Sequence, residues 1–255
     1  MKRERALIEK RRNEILEELK KREQLRVDDL ARKWKVSPLT IRRDLKSLEE
    51  QKQIQRFHGG ASLIQTEKTV NFADDYREQL SKYAASLVED GDTIFINTSM
   101  TALYLIKYLG EKRVTVITNN GKVMGIEVPP NVSILLSGGE LRYPKYAMVG
   151  EFALKNMEHL TAKKSFVGCS GLSAARGMTT EILNEVHVNR LMLEQVTGES
   201  YILADHSKIG RDSSFVSQDI SKIRNLITDE LVEQEQLELF REKNINVYQV
   251  GKESY

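Results

Sequence analysis

Apolar positions in the first 64 residues recur at the spacing of short helices. From about Asn13 to Arg22, Ile15, Leu16 and Leu19 share one face; Asp28 is expected to cap a second helix carrying Leu30, Ala31 and Trp34; Ser37 opens a third. Only the few residues around Lys35 and Val36 separate the second pattern from the third, so this helix pair must turn sharply. QIQRFHGGASLI then alternates about Gly59-Gly60, which predicts a small β-hairpin or wing. The pattern assigns residues 1–64 to this module, and the polar stretch QTEKTVN places a linker over 65–73.

Beyond the linker the period changes. A helical pattern runs from about Asp74 to Val88, followed by β-rich runs at 93–97, 114–118, 132–137, 164–169, 200–204, 224–228 and 245–250. Helical patterns lie between most of them, including MTALYLIKYLG, EFALKNMEHL, EILNEVHVNRLMLEQV and ELVEQEQLELFREKN. Apolar strands alternating with helices predict a mostly parallel sheet covered on both faces. The expected fold class is therefore α/β: a small N-terminal winged helix-turn-helix, then a larger α/β domain over 74–255.

Composition changes this picture in one respect. The net charge of +2 conceals an asymmetry: residues 1–64 carry 18 Lys and Arg against 11 Asp and Glu, and the remainder carries 21 against 26. A basic module ahead of an acidic one suits a protein that offers its front end to a polyanion, although a solvated basic face without a partner has the same charge. No apolar run approaches the roughly 20 residues of a membrane span, and MKRERALIEKRR lacks the apolar centre of a secretory signal. A cytoplasmic protein without membrane contact is expected. The lone cysteine, Cys169, sits in the apolar run SFVGCSGL and reads as a buried structural thiol. Neither a metal nor a cofactor site is indicated.

VSPLTIRRDLKSLEE carries the sharpest local signal. Ser37 supplies an N-cap oxygen and Pro38 suits the first helical position, where a missing N–H costs nothing. At about 100° per residue, Ile41, Leu45 and Leu48 fall within about 60° of one another and form the buried stripe. Leu39, Thr40, Arg42, Arg43, Lys46 and Ser47 occupy the opposite arc, a basic surface with hydroxyls and one apolar tip. Such a surface fits the major groove of double-stranded DNA, with Arg pairing to guanine and an apolar tip meeting a thymine methyl. Arg56, His58, Gly59 and Gly60 form a wing suited to phosphate or minor-groove contact, His58 serving equally well as a packing residue. One short helix reads only a few base pairs, so a homodimer or homotetramer is expected on operator DNA.

In the second domain, small and polar residues recur where strands end. Asn97, Thr98, Ser99 and Thr101 follow the first strand, Asn119 and Asn120 the second, Gly138 and Gly139 the third, Gly171 the fourth, and Asp205 and Lys208 the fifth. Strand C-termini of an open parallel sheet line the crevice where ligands bind. Phosphate is the natural guest, Lys208 supplying a point charge and Asn, Ser and Asp meeting sugar hydroxyls. Turn chemistry alone also explains such residues.

VDDLARKWKVSPLTIRRDLKSLEE followed by RFHGGA resembles the DNA-binding signature of DeoR-type bacterial regulators. DGDTIFINTSMTAL, TNNGKV, SGGELR, GLSAARGMTT, ADHSKIG and LITDE are similar to the ordered blocks of that family's effector domain, so the resemblance covers nearly the whole chain. It implies a fold related to ribose-5-phosphate isomerase and glucosamine-6-phosphate deaminase, sensing of phosphorylated sugars or related metabolites, and in most members repression. It places the phosphate on the Thr98 to Thr101 loop and adds Glu185 to the effector site.

Four departures stand out. Lys52 replaces a glycine before the wing; Asn97, Ser99, Met100 and Thr101 replace the usual Asp-x-Gly-Ser/Thr-Thr; Asn189 stands where a lysine is usual; and the segment before Ala84 lacks the familiar Glu-Lys pair. A sugar-phosphate isomerase or deaminase with an attached DNA-binding module is the competing reading. Catalysis calls for a base beside the phosphate loop, and Asn97 supplies none; His187 and His206 qualify by residue type alone. No catalytic residue is assigned.

Overall fold

The computed structural model describes residues 2–21, 25–50, 53–57, 59–63 and 72–251, with 2–9, 20–21, 63 and 72–75 defined at the backbone only. His58, Lys52, Ile64 and residues 65–71 of the expected 65–73 linker lie outside the described residues. Contacts divide the chain into two compact units, Met1–Thr69 and Val70–Tyr255.

The first unit comprises α1 (Lys2–Lys21), β1 (Leu25–Arg26), α2 (Val27–Trp34), α3 (Pro38–Glu50) and the hairpin of β2 (Ile54–Phe57) with β3 (Gly60–Leu63). Ile15 and Leu19 of α1, Leu30 and Ala31 of α2, and Ile41, Leu45 and Leu48 of α3 close one core with Ile54 and Ala61 of the wing. The expected α3 stripe is thus the buried one. Lys35 adopts a left-handed conformation (φ 51°) that ends α2, and the Val36 N–H closes on the Ala31 carbonyl, making the tight turn. The Ser37 hydroxyl accepts from the Thr40 N–H at 3.1 Å, with Pro38 next, as expected of a cap.

Two expectations are corrected here. Asp28 does not cap α2: the helix begins at Val27, two residues earlier than that cap would set it, with Arg26 at the cap and no side-chain bond, and Asp28 lies in the first turn, where a negative charge favours the helix dipole. Helix α1 starts well before Asn13, its charged opening turns continuing the same helix. Periodicity could not reveal that extension, because few apolar residues mark it.

The second unit opens with α4 (Phe72–Ser86), so the last two residues of the expected linker are helical. Then come β4 (Thr93–Ile96), α5 (Met100–Tyr104), β5 (Val114–Thr118), β6 (Val132–Leu136), a hairpin of β7 (Glu140–Arg142) and β8 (Ala147–Val149), and α6 (Glu151–Met157). They are followed by β9 (Ala162–Gly168), β10 (Gly171–Ser173), β11 (Gly177–Thr180), α7 (Val186–Glu194), β12 (Val196–Leu203), β13 (Phe215–Gln218), β14 (Asn225–Asp229), α8 (Gln234–Arg241) and β15 (Asn246–Val250). Among the described residues, seven strands make a sheet in the order β15-β14-β12-β9-β4-β5-β6, parallel at every pairing. The α/β reading of the sequence holds.

Side-chain alternation sorts the strands between two cores. Ile94, Ile96, Phe166 and Leu203 face one layer with Leu80 and Ala84 of α4; Phe95, Val167, Ile202 and Leu226 face the other with Val188 and Met192 of α7 and Leu237 and Phe240 of α8. From β4 the chain builds outward through β5 and β6, then returns to place β9 on the opposite side of β4. Connections therefore diverge between β4 and β9. At such a switch point an open parallel sheet leaves a crevice beyond its strand ends.

At the opposite end of this seam lies a buried charge pair. Asp92 accepts from the Lys164 ammonium and the Glu89 N–H, each at 2.9 Å, with Lys163 at 3.1 Å. Burial pushes the Asp92 carboxyl up, but the Glu89 N–H and the ammonium groups of Lys164 and Lys163 outweigh it and hold the group below its ordinary 3.8. A depressed folded-state value means that this stabilisation is complete above the ordinary value and is lost as pH falls through the folded one. Acid unfolding of the second unit is expected to steepen below pH 3.8. In Asp92→Asn that part of the pH dependence should vanish; urea melts between about pH 6 and pH 2 measure it.

Candidate functional site

On α3 the structure exposes the arc that the sequence assigns to DNA. Leu39 is 56% exposed, and Arg42, Arg43 and Lys46 are exposed beside the half-buried Thr40. Among the described residues Arg42 and Arg43 have no hydrogen-bond or ion-pair partner, whereas Lys46 approaches Glu50 at 3.9 Å. Ser37 and Pro38 are exposed at the helix start. Arg56, expected to meet phosphate, is paired with Glu49: its Nε donates to Glu49 Oε2 at 2.7 Å and its N–H to Oε1 at 3.2 Å, holding the Glu49 carboxyl below its usual range. It fastens the wing to α3.

The wing glycines are required by geometry. Gly59 has φ of +89°, and a side chain at Gly60 would strike the Leu25 carbonyl and the Phe57 ring where β3 pairs with β1. A third motif residue escaped the sequence reading. Asp44, only 3% exposed, accepts from Arg11 Nε at 2.7 Å and Arg12 Nε at 3.1 Å, tying α3 to α1. Its place between the apolar stripe and the polar arc was the available signal.

The second unit contains a cavity of about 320 Å³ beyond the ends of β4, β9 and β12. Of the effector residues expected from sequence, Asn97, Thr98, Ser99, Thr101, Glu185, Asp205 and Lys208 line it. Asn97 is its buried node. The Asn97 Oδ1 accepts from the Gly168 N–H at 3.0 Å and the Ser99 N–H at 3.2 Å, while Nδ2 donates to the Gly168 carbonyl at 2.8 Å and to Asn189 Oδ1 at 3.0 Å. The Ser99 hydroxyl caps α5, and a side chain at Gly168 would strike it, so the glycine lets β9 pass close to the loop.

Glu185, 3% exposed, closes the wall. Thr98 Oγ1 donates to its Oε1 at 3.0 Å, Thr180 Oγ1 to its Oε2 at 2.9 Å, and Lys145 Nζ reaches Oε2 at 3.4 Å from the β7–β8 turn. Asp205 accepts from the Ser207 N–H at 2.9 Å and from its hydroxyl. Cys169 also faces the cavity. Burial, reinforced by the Asp205 carboxylate, pushes its thiol up to about 12, so it stays protonated.

Five expected effector residues do not line this cavity. Asn119 is buried and bonded to Met148 of β8; Asn120 caps the 3-10 turn Gly121–Gly125 and reaches the Asn97 carbonyl. At Gly138 and Gly139 the positive φ values shape the turn after β6, Gly139 packing against Val149 and Ala153. Gly171 lies within β10, where any side chain would meet the Arg211 carbonyl at 2.5 Å. The crevice opens between β4 and β9, so the ends of β5 and β6 stand to one side of it. Conversely, Arg77 of α4, Lys122, Lys145, Thr180, Glu181 and Asn189 line the cavity unforeseen, because they come from elements whose packing follows from topology. Of the histidines weighed, His206 is held by Asp229 at 3.0 Å and His187 is exposed.

Replacing Arg42 or Arg43 by Ala is expected to leave the fold intact, since both side chains are exposed. Each should weaken binding to an operator selected from random-sequence DNA, by about 1 to 3 kcal/mol for a lost base contact. A lost phosphate contact instead lowers the salt slope by about one unit. Binding isotherms at several salt concentrations separate the two; parent-like isotherms for both variants would place the reading surface elsewhere.

Known proteins agree with this division. The DeoR-like helix-turn-helix domain matches residues 11–67, and the DeoR C terminal sensor domain matches 73–230. The HTH-type transcriptional regulator GolR of Listeria innocua is 33% identical over 93% of this chain and 96% of its own length. A lactose phosphotransferase system repressor of Staphylococcus epidermidis is 30% identical over 91% and 97%. Ribose 5-phosphate isomerase A from Methanocaldococcus jannaschii covers 53% of this chain and 54% of its own, at 19% identity and a TM-score of 0.37. With both of the family's domains in order along nearly the whole chain, the protein belongs to the DeoR family of DNA-binding transcriptional regulators.

Proposed function

We propose that the protein represses genes of carbohydrate utilisation and that a phosphorylated sugar, bound in the β4–β9 crevice, controls its hold on operator DNA. The observation that carries this reading is the lining of the cavity. Arg77, Lys122 and Lys208 provide the cations that a phosphate needs, and Asn189, Thr98 and Thr180 provide an amide and hydroxyls at the scale of a sugar. The lactose phosphotransferase system repressor among the relatives supports a link to sugars.

The named relatives are regulators, which supports a receptor over an enzyme. In the cavity Glu185 accepts from Thr98 and Thr180 and pairs with Lys145, and Asp205 Oδ1 accepts from Ser207, so both carboxylates serve to hold the wall. Assembly as a homodimer or homotetramer belongs to the same reading, because two half-sites raise the specificity that one α3 cannot reach.

Thermal melts against a set of pentose and hexose phosphates identify the effector, and turnover assays with the same compounds test the competing reading. Lys208→Ala and Ser99→Asp should both shift the effector titration of the operator complex to higher concentration. Aspartate still caps a helix, so Ser99→Asp places a charge against the phosphate without removing the cap. Operator affinity without effector should remain near the parent's. Unchanged titrations in both variants would move the phosphate out of this crevice.

A further inference from the structure

Two departures that the sequence presents as separate, Asn97 and Asn189, touch each other in the fold. Their hydrogen-bond pattern determines which way each amide faces. Asn97 Oδ1 receives two backbone N–H groups, from Ser99 and Gly168, and its Nδ2 faces the Gly168 carbonyl. The reverse orientation would set donor against donor at two positions and acceptor against acceptor at a third. With Asn97 Nδ2 so placed, Asn189 must turn its Oδ1 toward it, as observed at 3.0 Å. The Asn189 Nδ2 is left with two N–H donors and no partner among the described residues, on a side chain 2% exposed that lines the cavity.

The surroundings select what those donors take. Asn189 stands four residues after Glu185, one helical turn along, and the Glu185 carboxylate is buried in the same wall. That carboxylate already neutralises Lys145, so a phosphate brought beside it would meet a like charge and no unpaired cation. A hydroxyl or carbonyl oxygen would not. We infer that Asn189 is a specificity-determining residue that donates to a neutral oxygen at the end of the effector remote from its phosphate, so that the effector is an anion at one end and a hydroxyl- or carbonyl-bearing chain at the other. This rests on the proposed sugar-phosphate site and assigns its uncharged half.

The test uses the full-length protein with ribose 5-phosphate, glucose 6-phosphate, fructose 6-phosphate, sorbitol 6-phosphate and inorganic phosphate, each titrated calorimetrically. Asn189→Leu removes the donor without adding charge. Asn189→Ala likewise removes the donor without adding charge, so it serves if the leucine variant fails to fold. For whichever sugar phosphate binds the parent, Kd should rise about tenfold more than that of inorganic phosphate in either folded variant. Equal changes for the two ligands, or none, would overturn the role of Asn189 while leaving the sugar-phosphate site in place. If no sugar phosphate in the set binds the parent, the proposed function fails and this inference with it.

Discussion

The Asn97 amide bridges the place where the sheet's connections diverge, and much of the second unit depends on that bridge. Strands β4 and β9 are paired through Ile96 and Phe166, and beyond that pair the two chains separate. Backbone groups freed there would be buried without partners, at a cost comparable to a lost hydrogen bond for each. One side chain satisfies three of them: the N–H and carbonyl of Gly168 and the N–H of Ser99. The crevice therefore has a polar floor held from within, and its opening does not have to be held apart by a ligand. An aspartate at this position could accept from the same two N–H groups but would face the Gly168 carbonyl with a lone pair.

The same constraint explains which parts of the site were legible in the sequence. Residues directly after β4 and β12 could be placed from the strand pattern alone, because a strand's C-terminal end and a switch point suffice to locate them. Asn119, Gly138 and Gly139 follow strands of identical appearance, yet β5 and β6 are added outward from β4, away from the divergence. Strand order is a long-range property, and a linear pattern of apolar residues does not encode it. Gly171 misled for a different reason: a glycine that lets two backbones approach looks, in sequence, like one that admits a phosphate. The antiparallel set β10-β11-β13 was likewise invisible, since its three short strands are scattered over almost fifty residues.

In the first unit the third helix was local, and it was readable. Stripe and exposed arc of α3 follow from its thirteen residues at one period, and the cap from Ser37 just before them. What escaped is a contact across helices. Asp44 occupies the boundary of the stripe, and only the folded chain shows that it gathers Arg11 and Arg12. Removing the partners of a buried carboxylate costs more than the pair contributes, so these arginines belong to the fold before they belong to any polyanion. The basic excess of residues 1–64 is thus divided. Arg11, Arg12 and Arg56 are engaged in ion pairs with Asp44 and Glu49, whereas Arg42 and Arg43 are held by none among the described residues.

That division bears on how a ligand could act at all under the proposed function. An effector shifts operator affinity only by the difference in its own affinity for two arrangements of the protein, typically about 1 to 3 kcal/mol. Contacts to a floor that stayed the same in both arrangements, around Asn97 and Gly168, would supply affinity alone. The difference must come from cavity residues on elements that can shift against the sheet. Lys145 stands on the short β7–β8 turn, where its pairing with Glu185 ties that turn to the cavity wall. Arg77 stands on α4, the first described element after residues 64–71 and so the one nearest in sequence to the DNA-binding unit. Under the proposed function the floor would thus set which molecule is held, and the rim what holding it changes.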